Sequence, residues 1–247
     1  MSSRQGFGPL LAEFELEFVT AEGAQARAPL LDSALVLFEG VEPVRRFPFY
    51  RGQRHFPGLW WSSTMAGHVG YESWLERDHL MLLDFDPTVV GVAAQPFWLS
   101  WVGEDGQTRR HAPDYFARLV DGTALVVDCR PADRIKPRDV AAFEATRRAC
   151  DLVEWQYRLV GMPEAVTVAN VRWLAGYRHP RHHLAGTVSA LRAVFADTTP
   201  LMAGAESVGD PIAVLPVLFH LLWRHDLVAD FGTPLDERTL VTAQVSS

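Results

Sequence analysis

Asp114 and Asp128 lie in two short apolar-rich runs of the stretch HAPDYFARLVDGTALVVDCRP, residues 111–131, and Arg130 follows the second aspartate at a spacing of two. Hard cations such as Mg²⁺ are held through carboxylate oxygens and keep several waters, so two or three converging acidic groups are the minimum protein contribution. A cation beside them can hold a scissile phosphate or stabilise a hydroxide nucleophile. Convergence depends on the loop between the runs, because a register slip of one residue turns a strand side chain to the opposite face. A two-residue Asp121-Gly122 loop sets Asp114 against Cys129. A three-residue loop, Val120-Asp121-Gly122, with Gly122 in the left-handed conformation of a bulge, pairs Leu119 with Thr123 and brings Asp114 opposite Asp128. The metal site requires the second register. Taken singly, Arg130 also reads as half of an ion pair on a solvated strand face, and Asp114, after Pro113, as a turn or cap residue.

These residues need a scaffold. The run YESWLERDHLMLLDFDP places Tyr71, Trp74, Leu75, Asp78, Met81, Leu82 and Phe85 near one stripe and Glu72, Glu76, His79 and Leu83 near another, which predicts a helix ended by Pro87. Three strands are expected next, at Phe97–Val102, His111–Leu119 and Ala124–Arg130, separated by GEDGQ and VDG turns. A helix opened by Pro137 and a strand over 155–160 complete the order. Helix, three-strand meander, helix and strand make an α/β arrangement, in which the last helix crosses over to bring a parallel strand against the meander.

Flanking segments extend this core. AEFELEFVT alternates apolar and charged residues as a strand does, and RRFPFYRGQRHFPGLWW reads as an irregular arm. Residues 1–62 are expected to form a β-rich arm, equally open to being an interaction arm or a sheet extension, with the core over 63–184. PEAVTVANVRWLAGY predicts a helix, followed by a basic, His-rich connector. A boundary near Ala185 leaves 185–247, where LAGTVSALRAVFA and IAVLPVLFHLLWRHDL read as helices and VADFGTPLDERTLVTA as a β-ribbon. Helices followed by a ribbon predict a winged-helix-like domain, a pattern that a helical dimerisation tail also gives.

The composition limits the function classes. A chain of 247 residues with 48% apolar and 21% charged residues can bury a real core and lacks the signature of disorder. No long apolar run and no basic N-terminal segment with an apolar continuation is present, so a cytoplasmic protein without a membrane span is expected. Cys129 and Cys150, without metal-ligand spacing, are expected to be reduced core residues. The net charge of −7 argues against a protein that wraps nucleic acid unaided. Of the 23 basic residues, only Lys136 is lysine.

Pro113-Asp114, thirteen intervening residues and Asp128-Cys129-Arg130 resemble the PD-(D/E)xK nuclease signature. The preceding SWLERDHLMLLDFDPTVVGVAAQP resembles TnsA-like transposase endonuclease subunits, the likeness covering roughly residues 70–160 and, with weaker motifs, the C-terminal segment. The resemblance implies a restriction-endonuclease-like core and a metal-dependent DNA endonuclease, with Mg²⁺ or Mn²⁺ at Asp114, Asp128 and Glu76 and with Arg130 stabilising charge. It also implies cleavage at transposon 5′ ends, beside a DDE transposase that cuts the 3′ ends and an AAA+ regulator. Ser73-Trp74-Leu75-Glu76 also has capping-box spacing, with Glu72 in reserve as the third acid. Gln95 could reach the site or form a structural corner. His79, His111 and the HPRHH cluster lack zinc spacing and are expected to be solvated or DNA-facing. Arg130 stands where the family has Lys; a guanidinium stays protonated and cannot act as a general base, and Lys136 is a less apt surrogate. A non-cutting docking subunit and a free-standing defence nuclease are the alternatives.

Overall fold

The computed structural model describes residues 13–45 and 56–244. Alternation in FELEFV buries Phe14, Leu16 and Phe18 on one face of β1 (Phe14–Val19), which pairs antiparallel with β2 (Gln25–Pro29) before the single turn α1 (Leu30–Ser33). A hairpin of β3 (Gly58–Ser62) and β4 (Gly67–Tyr71) precedes helix α2 (Trp74–Phe85). Then come β5 (Val89–Ala94), β6 (Trp98–Val102), β7 (Thr108–His111), β8 (Tyr115–Leu119) and β9 (Ala124–Cys129). Helix α3 (Pro137–Leu152) crosses over to β10 (Gln156–Val160), which lies parallel to β9.

Two four-stranded sheets result, with orders β2-β1-β6-β7 and β10-β9-β8-β5. In the second sheet, Tyr115, Ala117, Leu125, Val127 and Cys129 pack with Leu75, Leu80 and Leu83 of α2. The alternate residues Phe116, Ala124 and Val126 pack with β1, β6 and with Ala145, Ala149 and Cys150 of α3. Period-two alternation therefore gives this sheet two apolar faces, one under each helix. Cys129 and Cys150 are both buried free thiols.

The meander differs from its expected composition. Its first strand is β5, and the expected strand at Phe97–Val102 forms as β6 but joins the other sheet. Val89–Ala94 is buried on both faces and so lacks the alternation that marks a half-buried strand. Gln95, at φ +46 and followed by Pro96, turns the chain between the two sheets. The expected strand His111–Leu119 is likewise divided into β7 and β8, with the break at Ala112–Asp114, where Pro113 has no N–H for a ladder. Most of the aromatic arm, residues 46–55, lies outside the described residues, but its end forms β3. Residues 62 and 63, where the arm was expected to end, fall at the turn of the β3–β4 hairpin.

The chain divides into two compact units, residues 1–83 with 88–162, and residues 84–87 with 163–247. The division after Met162 gives the helix α4 (Ala165–Leu174) to the second unit, where the sequence pattern put the boundary at Ala185. Single 3-10 turns at Ala175–Tyr177 and Pro180–His182 follow, then α5 (Ala185–Val194), β11 (Thr199–Pro200), α6 (Leu201–Val208), α7 (Pro211–Trp223), β12 (Leu227–Ala229) and β13 (Leu240–Ala243). The strands form a small sheet of order β11-β13-β12. Helix α6 is short and centred on Gly204, so its period carries little signal; that glycine lies against Phe195, whose Cζ would be 2.2 Å from a Cβ. Among the described residues no helix is long and apolar enough to cross a membrane.

Candidate active site at one end of the central sheet

The β8–β9 turn has the three-residue form. Leu119 N donates to Thr123 O at 2.9 Å, Gly122 N donates to Leu119 O at 2.9 Å, and Gly122 sits at φ +85. Tyr115 consequently pairs with Val127, and one further step sets Asp114 opposite Asp128. Because β5 and β9 run antiparallel to β8, the end of β5, the start of β8 and the ends of β9 and β10 share one end of the sheet. Gln95, Asp114, Asp128 and Arg130 are gathered there, although they are spread over the sequence.

Each carboxylate is held in its own way. Asp114 is half-buried, and its Oδ2 accepts a 2.7 Å bond from Cys129 N, an amide that the register would otherwise set against Pro113. Asp128 is 1% exposed. It shares the α3 side of the sheet with Ala124 and Val126, and there His111 Nε2 donates to its Oδ1 and Tyr157 Oη to its Oδ2, both at 2.8 Å. Glu76 stands at the start of α2 in the capping arrangement that its spacing allowed: its N–H donates to Ser73 Oγ at 3.2 Å, while its Oε2 accepts from Glu72 N at 2.7 Å and its Oε1 from Ser73 Oγ at 2.8 Å. Glu72 itself bonds Arg45 at 2.8 Å.

The three acids feel one another. Burial raises the Asp114 carboxyl well above the ordinary carboxylate range, and the charges of Asp128 and then Glu76 push it the same way, while the Cys129 N–H and Arg130 pull it back. Burial also raises Glu76, with the Glu72 charge adding to it, against the bonds from Glu72 N and Ser73. The Cys129 thiol is raised by burial and by Asp114, Glu76 and Asp128, and the Tyr157 hydroxyl by burial and Asp128. Neither group is an accessible nucleophile. Arg130 is exposed; its N–H closes on Val160 O at 2.8 Å, and its charge reaches Asp114 and Asp139. Lys136 sits past the strand end, where its N–H donates to Asp139 Oδ2 at 3.2 Å as α3 begins.

Two features had no signal in the spacing. The first is the pair His111 and Tyr157 around Asp128; His111 is not solvated but half-buried, and it packs edge-on against Phe143. His79 is likewise half-buried, donating through Nε2 to Gly161 O at 2.7 Å, and burial lowers its pKa. The second is the state of the Gln95 side chain, at a residue that the sequence offered as reaching the site or forming a structural corner. Its backbone N–H donates to Asp114 O at 2.9 Å, yet among the described residues its buried side-chain amide has no hydrogen-bond partner for either polar atom.

Hydrogen bonds among the described residues engage both oxygens of Asp128 and Glu76 but only one of Asp114. Among those residues no group of three His, Cys, Asp or Glu side chains is spaced to hold an ion. The donor chemistry, all carboxylate oxygen with mutually repelling charges, suits a hard cation. Asp114 keeps one oxygen clear of these donors but must lose its proton to hold an ion, whereas Asp128 and Glu76 must exchange a protein donor to join it. No protein-family model and no curated protein matches the chain.

Proposed function

We propose that this protein is a Mg²⁺- or Mn²⁺-dependent DNA endonuclease, the subunit of a heteromeric transposase that hydrolyses phosphodiester bonds at transposon 5′ ends. The observation that carries this reading is the register that sets Asp114 opposite Asp128, with Glu76 and Arg130 in electrostatic range of Asp114. The order α2, β5, β8, β9, α3, β10, with a helix on each face of the sheet, supports a restriction-endonuclease-like core. The motifs over residues 70–160 add the resemblance to TnsA-like subunits, and with it a DDE transposase and an AAA+ regulator as partners.

In this reading Asp114 holds the ion, with Asp128 and Glu76 as further ligands. The ion supplies Lewis acidity and a bound water of lowered pKa. His111 and Tyr157 keep Asp128 oriented, and the Ser73 hydroxyl and Glu72 amide do the same for Glu76. Arg130 offers a permanent positive charge to the phosphate and takes no proton. A nearby transposase would supply most of the DNA affinity beyond what a chain of net charge −7 provides.

The second reading is a docking subunit that does not cut, and the engagement of both Asp128 oxygens by protein donors favours it. Nicking of supercoiled DNA with Mg²⁺ or Mn²⁺, alone and with a DDE transposase, separates the two. The nuclease reading requires cleavage that disappears in Asp114→Ala. Absence of cleavage under every metal, with the transposase present, would overturn the nuclease reading and favour the docking one.

A further inference from the structure

The second unit contains a basic surface in an acidic chain. Between Glu164 and Asp197 there is no acidic residue, but there are four arginines and three histidines. The turn Pro180–His182 packs on α7, and around the buried His220 of that helix the charges of Arg224, His183 and His182 converge. The His183 and His220 rings are 6.1 Å apart, and Arg181 Nε lies 3.2 Å from His182 Nε2. Aromatic rings continue the surface: Tyr177 packs edge-on against His182 at 5.4 Å and tilted against Trp173 at 6.3 Å, and Trp173 is 58% exposed. Arg181, His183 and Arg224 are exposed as well.

The elements more often used to read DNA are unsuited to it here. The second helix of a helix-turn-helix pair enters the major groove with polar side chains. Helix α7, which follows α6, has no charged residue over 211–223 and packs under α4. The loop between β12 and β13 carries Asp230, Asp236 and Glu237 against Arg238 alone, which repels phosphate.

We propose that the surface formed by Arg181, His182, His183 and Arg224, with Trp173 at its margin, binds the phosphodiester backbone of duplex DNA. The inference rests on the reading of this protein as one that acts on DNA. Spaced arginines without a base-reading helix give contacts that position the duplex and carry no sequence information. The surface thus offers the cleavage unit a grip independent of the end sequence.

The test is binding of the full chain to a fluorescein-labelled duplex in EDTA, titrated from about 50 to 200 mM salt. Each phosphate contact contributes about 0.9 to the slope of log affinity against log salt, so Arg181→Ala and Arg224→Ala should each lower that slope by about one. The double variant should do so on duplexes of unrelated sequence, with unchanged thermal unfolding. No duplex binding by the wild type, or an unchanged slope in the double variant, overturns the proposal. Equal binding of poly-glutamate, lost in the same variants, overturns it in favour of an acidic protein partner. Slopes that fall as stated while no metal supports nicking would sink the nuclease reading and leave this surface standing. Nicking that depends on Asp114 with unaltered slopes would do the reverse.

Discussion

The Asp114 carboxylate accepts the Cys129 N–H at 2.7 Å and so closes the end of the β8–β9 ladder where the chain around Pro113 has left the sheet. A carboxylate used in this way is expensive to ionise, because burial and the charges of Asp128 and Glu76 act together against it. Its folded pKa is raised, so the folded state holds a proton that the unfolded state releases. Stability therefore falls as pH rises from the ordinary carboxylate value of 3.8 towards the raised one. Asp114→Asn keeps an acceptor for Cys129 and removes the charge. It should melt above the wild type at about pH 7 in EDTA, with the gap closing as the pH approaches about 4, and it should nick no DNA. Scanning calorimetry across that range checks the first point. A variant that melts below the wild type at neutral pH would show that the charge is accommodated.

Val-Asp-Gly offered two registers around Asp114, a two-residue and a three-residue turn, and the structure takes the second, with Gly122 in the left-handed region. Helices α2 and α3 and the strand after α3 were legible through their period and through Pro87 and Pro137. The membership of β5 and β6 was not, since pairing is decided by which apolar face meets which partner far along the chain. β5 is buried on both faces, and so shows no alternation to read. The same limit applies to the site. Two acids at one sheet end follow from topology, whereas the bonds from His111 and Tyr157 to Asp128 join residues 17 and 29 positions away. Ser73-x-x-Glu76 stated both of its uses in the sequence, and the structure displays the cap.

Under the metal-site reading, Tyr157 competes with the ion for Asp128. Removing its hydroxyl leaves one buried carboxylate oxygen without that donor, at a cost of about 1–3 kcal/mol in stability. The same oxygen becomes free for a cation. Tyr157→Phe is therefore expected to unfold at lower urea and yet to bind Mn²⁺ about tenfold more tightly, since a hydrogen bond to a charged group contributes about 1.5–3 kcal/mol. Manganese titration followed by electron paramagnetic resonance reads the affinity directly. Unchanged Mn²⁺ binding would remove Asp128 from the ligand set.

Arg130 is exposed and reaches Asp114 only through its charge. Its substitutions should leave stability within about 0.5 kcal/mol. Under the nuclease reading Arg130→Lys keeps a cation at the sheet end and should hold nicking within about tenfold, while Arg130→Ala should lower it about 10²–10³-fold, the usual loss for one charge-stabilising donor. Single-turnover nicking rates supply the comparison. Equal rates for all three proteins would mean that no charge at this position acts on the phosphate.

Gly122 controls the register on which the candidate site depends. A Cβ there meets nothing within 4 Å, so space is not the obstacle; the backbone at φ +85 is. An L-residue with a side chain pays roughly 1–2 kcal/mol to adopt the left-handed region, and Asn pays less because its short polar side chain bonds locally. Gly122→Ala should therefore lose about 1 kcal/mol of unfolding free energy, and Gly122→Asn only part of that. If the alanine variant instead takes the two-residue turn, which moves the positive φ partly onto Asp121, Asp114 moves opposite Cys129, and metal binding should fall further than stability does. Urea unfolding and Mn²⁺ titration of the two variants distinguish the cases. Equal loss of both properties in Ala and Asn variants would show that the turn is held by the sheet rather than by the glycine.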